Sequence, residues 1–116
     1  MEVVDLEDDV AGLETRIQKI KAELDDLEDD IVTRKNLIKD AQGNIKKYET
    51  QLNEVKNNRE YEAISKEVEI QGLDIQVSEK KIREFGFEIA SKTGIYEKAL
   101  ADLEARKSDL DAKKSE

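Results

Sequence analysis

Proline, histidine, cysteine and tryptophan are all absent from the sequence, and each absence closes off an answer. Without proline, nothing obliges a helix to kink or stop. Without cysteine there is neither a disulfide nor a thiolate-bound metal. Without histidine, no side chain titrates near neutrality at its ordinary pKa. Aromatic residues make up 4% of the 116 residues, too little mass for a large compact core. No uncharged apolar run reaches the roughly 18 residues of a membrane span, and no basic start followed by an apolar stretch marks a signal peptide. By elimination, the expectation is a cytosolic protein without membrane contact.

What the chain has in quantity is charge. Charged residues account for 42% of it, with a net charge of −9. Residues 1–30 hold twelve acidic and three basic side chains, so the whole excess sits there. An acidic surface repels phosphate backbones, which argues against direct nucleic-acid binding. High charge is also the composition of disordered chains, but disorder does not keep a heptad phase.

This chain keeps one. With Val3 as position a, the a and d positions run Val3, Leu6, Val10, Leu13, Ile17, Ile20, Leu24, Leu27, Ile31, Arg34, Ile38, Ala41, Ile45, Tyr48, Leu52 and Val55. Only Arg34 among these sixteen is polar, and three or four such heptads already indicate a coiled coil. The same phase then fails, placing Arg59 and Glu62 in the seam. It resumes two residues late with a at Tyr61, Val68, Ile75, Ile82, Ile89, Tyr96, Leu103 and Leu110. Its d positions are mixed: Ile64, Gln71, Ser78, Phe85, Lys92, Ala99, Arg106 and Lys113.

A continuous coiled coil absorbs insertions of three or four residues, not two, whereas a turn absorbs the jump easily. The expected fold is all-α: a long two-helix antiparallel coiled-coil hairpin, with helix 1 over about 3–55, a turn at 56–59 and helix 2 over about 60–114. Asn57 and Asn58 suit the left-handed conformation that ends a helix, and Asn57 with Glu60 fits a capping box. Facing residues should sum to about 116, which sets Leu6 on Leu110, Leu27 on Ile89 and Ala99 on Ile17. Lys35 with Glu79, Arg16 with Asp102 and Glu7 with Lys107 are the expected flanking pairs. The rival, one long helix in a parallel dimer, would stack Lys92, Arg106 and Lys113 on their own copies.

Little here suits catalysis. No Gly-rich phosphate loop is present, and the many carboxylates lack a cleft to perturb them. No catalytic, cofactor-binding or metal-ligating residue is assigned, and the EF-hand spacing is missing from the acidic runs. Asp25 with Asp29, and Asp26 with Asp30, read as a solvated face or as a docking surface for a basic partner. Gly43, Gly72, Gly86 and Gly94 are costly within helices; a bend, a close approach by another chain or simple tolerance at exposed sites would each account for them.

Two features point to protein partners. Ile70, Leu73 and Val77 form a short apolar stripe off the seam, with Leu37 at the same height on helix 1, and such stripes usually mean contact. At the tip, "NNREYE" presents Asn57, Asn58, Arg59, Glu60, Tyr61 and Glu62. An acidic probe entering a polymerase channel would need two carboxylates at its apex, where this chain has asparagine and arginine.

The stretch "VKNNREYEAISKEVE" resembles the signature turn of a bacterial family that joins a long antiparallel coiled-coil hairpin to a C-terminal four-cysteine zinc ribbon. The likeness extends through "DLEDDVAGLETRI" and "SEKKIREF". It implies that residues 57 to 61 form the interhelical tip, and that the chain is a non-enzymatic adaptor. The partners it implies are the nitrogen-type sigma factor of RNA polymerase or a flagellar or secretion-system component. The chain departs from the family in having no cysteine, so zinc is expected only in a ribbon outside this segment, and the sequence is expected to be a fragment of a longer protein. A self-associating rod or homodimer, and a hairpin effector of RNA polymerase, are the alternatives.

Overall fold

The computed structural model describes residues 3–116. It is an all-α helical hairpin of two helices, α1 (Val3–Glu54) and α2 (Asn58–Ser115). The three residues Val55–Asn57 reverse the chain, so the turn is shorter than expected and α2 starts two residues sooner. Among the described residues no φ is positive. The expectation of a left-handed asparagine is therefore overturned: the reversal is made with ordinary backbone, and Asn58 belongs to the helix.

The hairpin divides into two compact units, one pairing Met1–Glu28 with Phe87–Glu116, the other spanning Asp29–Gly86. The unit that holds both chain ends has the drier seam. Leu6, Val10 and Leu110 form its buried cluster, with Val3 and Leu103 packed against them, and Ile17, Ile20, Leu27 and Ala99 are buried as well. In the turn-bearing unit only Ala41 and Ser78 are buried, and the aliphatic seam residues are half-covered. A two-helix seam leaves one side of every large side chain near water, and among the described residues no side chain falls below 2% exposure.

All sixteen heptad positions of the first block are buried or half-buried, Arg34 included. On α2 the exceptions are Tyr61, Arg106 and Lys113. Three polar d residues, Gln71, Lys92 and Arg106, meet a polar group one residue ahead of the aliphatic they face. Lys92 Nζ donates to Glu23 Oε2, Arg106 donates to Asp9 Oδ2 at 3.0 Å, and Asn44 Nδ2 donates to Gln71 Oε1 at 3.3 Å. These three rungs each join residues whose numbers sum to 115.

The expected flanking pairs fare differently. Glu7 lies 3.9 Å from Lys114 instead of meeting Lys107, and Lys35 and Glu79 form no ion pair. Arg16 and Asp102 line one shallow groove. Exposed pairs gain little in water; the least exposed of the ion pairs is Lys92 with Glu23, whose side chains are about one-third exposed.

A Cβ added at Gly12, Gly43, Gly72, Gly86 or Gly94 would meet nothing within 4 Å. No close approach within the chain therefore requires these glycines. Gly43→Ala, Gly86→Ala and Gly94→Ala should each raise stability by about 0.5–1 kcal/mol, the usual helix-interior penalty of glycine. Urea unfolding measures this, and a drop would mean that helix is not formed at that position.

Candidate functional site

The tip is built by its cap. Asn57 Oδ1 accepts the Glu60 N–H at 2.9 Å, and the Tyr61 N–H donates to the Asn57 carbonyl at 3.2 Å, closing the first turn of α2. Asn57 is therefore the N-cap residue, satisfying amides that a helix start otherwise leaves unpaired. Asn57→Ala should cost about 1 kcal/mol. Asn58→Ala, one position further on, should stay within about 0.5 kcal/mol. Thermal unfolding of the two variants distinguishes capping from mere polarity.

The cap also orients the side chains that follow. Arg59, Glu60 and Glu62 are exposed. Tyr61, at a heptad a position, stands 53% exposed, because the seam has only begun to close in the first turn of α2. The tip thus offers an aromatic ring flanked by charges of both signs, with no enclosed cavity and no convergent titratable cluster. Among the described residues, no group of three or more His, Cys, Asp or Glu side chains could hold a metal ion, and no helix is long and apolar enough to cross a membrane.

The apolar stripe lies elsewhere in the same unit. Ile70, Leu73 and Val77 are about half-exposed, as is Leu37. Leu37 and Val77 share a groove of about 320 Å³ with Ser78, Arg34, Asp40 and Asp74. On its other flank Val77 shares a shallow depression with Leu73, Lys80 and Arg83. None of residues 57–62 lines either hollow, so tip and stripe are two separate surfaces. Ser78 explains the groove. It is 3% exposed, and by the rung rule its partner on α1 would be Leu37, which has no polar atom to offer. A small d residue beside an aliphatic one leaves space that a longer pair would fill.

The rungs were the residues that the heptad reading missed. Their signal was present: Glu23 precedes Leu24, Asp9 precedes Val10 and Asn44 precedes Ile45, each facing a polar d residue. In the Glu23–Lys92 rung, the hydrogen bond from Lys92 and then its charge hold the Glu23 carboxyl below its ordinary pKa. The hydrogen bond to Glu23 lifts Lys92 above its own. A lowered carboxylate contributes stability that is present above its unfolded pKa and lost as pH falls through the folded one. A raised lysine contributes below its unfolded pKa, and that is lost as pH rises through the folded one. Lys92→Met should therefore flatten both the acid and the alkaline limb of the stability profile, while leaving its shape at neutral pH alone. A profile identical to the parent's would show that the rung is absent in solution.

Compared with family models, curated proteins and solved structures, the chain matches none.

Proposed function

We propose that the chain is a non-enzymatic interaction module that presents its capped tip to a protein partner. The observation that carries this reading is Tyr61: an aromatic at a heptad position, held out of the seam beside Arg59. Tyrosine and arginine are among the residues that most often dominate binding energy at interfaces, and exposing a ring in an otherwise aromatic-poor chain costs stability that a partner would return. The resemblance of "VKNNREYEAISKEVE" to the zinc-ribbon family's turn supports a more specific version. In it the chain is the coiled-coil arm of a bacterial cytoplasmic adaptor acting on the nitrogen-type sigma factor or on flagellar or secretion regulation, with zinc held by a ribbon outside this segment.

Binding to purified nitrogen-type sigma factor, read by biolayer interferometry, tests it. The chain should bind, and Arg59→Ala with Tyr61→Ala should weaken binding about tenfold or more without loss of helicity. No binding removes the sigma-factor version. Binding that ignores the tip variant places the contact elsewhere. The competing effector reading requires Glu60→Ala with Glu62→Ala to abolish an effect on RNA polymerase in a transcription assay, a result the adaptor reading does not expect.

A further inference from the structure

The outer face of α2 between Lys66 and Glu84 carries a second, shorter pattern. Its f and c positions read Lys66, Ile70, Leu73, Val77, Lys80 and Glu84, all exposed and spaced three or four apart, as a helix-pairing seam requires. We infer that this face docks on the same face of a second copy of the chain, antiparallel, about a two-fold axis between Leu73 and Val77.

The charges select this arrangement. Let facing seam residues sum to 150. Leu73 then meets Val77 of the second copy twice, Lys66 meets Glu84 twice, and Ile70 lies along the aliphatic stem of Lys80. In an antiparallel pair the flanking positions face their own kind. On one side Glu67 faces Lys81, and on the other Glu69 faces Arg83, each again twice by symmetry. Sliding by one heptad sets Glu67 against Asp74 in one direction, or Leu73 against Glu84 in the other. A parallel pairing sets Glu69 against Asp74. The one like-charge meeting in the favoured register is Asp74 with its own copy on the axis, and Arg34 lines the same groove as Asp74. In the single chain Lys81 spends its charge on Glu84 at 3.8 Å, with both side chains about half-exposed, a weak contact that is easily exchanged.

The contact covers 19 residues of helix, about 28 Å at 1.5 Å per residue. That is short, and places the association among weak, concentration-dependent ones. It is independent of the tip reading, because none of its residues lies in 57–62.

Sedimentation equilibrium over about 1 µM to 1 mM tests it. The parent mass should rise from 13.3 kDa toward twice that. Glu67→Lys with Glu69→Lys should weaken association about 30-fold or more, since four attractive pairs become repulsive. Lys81→Glu with Arg83→Glu should do the same. Mixing the two variants should restore a dimer of parental strength, because every pair is then opposite in sign. Asp74→Asn should tighten it. All these positions are exposed, and circular dichroism should show unchanged helicity. A parent that stays monomeric throughout overturns the proposal, as does a dimer that ignores both reversals, or reversed variants that fail to rescue one another. Arg59→Ala with Tyr61→Ala should leave the dimer untouched, so a failure here and a failure of the tip reading remain distinct.

Discussion

Deleting Lys56 and Asn57 should turn the hairpin into an obligate dimer. In the parent, Val55 at d is followed six residues later by Tyr61 at a, two more than a continuous heptad allows. Removing two residues restores the d-to-a spacing of four. It also removes the Asn57 oxygen that caps the Glu60 amide, so nothing opposes helix through the former turn. An uninterrupted helix cannot fold back on itself, and its two apolar blocks must find a second chain. Exchanging them antiparallel keeps the same facing pairs, including Lys92 with Glu23 and Arg106 with Asp9. A parallel arrangement would instead stack those cations on their copies. Shortened hinges commonly drive such swaps. Light scattering should give twice the mass of the shortened chain even at the lowest concentration measured. A helical monomer of unchanged stability would mean that neither phase nor cap sets the turn.

The second large effect concerns the seam of the unit that holds the chain ends. Ile17 is 8% exposed and Ala99 5%, and the facing rule pairs them. Ile17→Ala should cost about 2 kcal/mol, the lower end for such truncations because a two-helix seam can partly collapse. Ala99→Ile alone should cost about 1–3 kcal/mol through overpacking. Combined, the large and small residues merely change sides. The double variant should recover about 1 kcal/mol or more relative to the sum, the coupling expected of residues in contact. Each single loss is a large fraction of the stability of a small fold, so urea midpoints will resolve it. Strict additivity would mean that these two residues do not face each other.

The helices were legible because one physical rule, apolar residues every three or four positions, holds across nearly the whole chain. The place of the reversal was legible for the same reason, as the one point where phase jumps by an amount no coiled coil absorbs. The conformation of the turn was not. Asparagine suits both a left-handed helix end and an N-cap, and composition alone cannot choose between them; the hydrogen bond from the Glu60 amide decides for the cap. The flanking positions of an ideal seam do not predict the ion pairs: Lys35 and Glu79 stay apart, and Glu7 lies near Lys114. Lys92 occupies a half-buried seam position, where a partner matters more than for side chains already in water; Arg106 reaches Asp9 by the same offset although it is exposed. Phase places Tyr61 in the seam, although at the start of α2 it stands 53% exposed. As for the candidate surfaces, exposed rings and aliphatics carry no chemical signature comparable to a metal-ligand spacing. The sequence could point to Ile70, Leu73 and Val77, but not to the groove that Ser78 opens beside Leu37.

The rungs have one more consequence, for motion along the helix axis. Asp9, Arg16 and Glu23 occupy successive equivalent positions on α1, seven residues apart, and the outer two hold Arg106 and Lys92. Let one helix creep past the other by a single heptad, and the apolar seam is satisfied almost as well as before. In one direction, however, Lys92 arrives at Arg16; in the other, Arg106 does. The same guanidinium stands in the way of both displacements, a detent between two notches, and a sequence whose repetition invites slippage is held by the one charge that breaks the pattern.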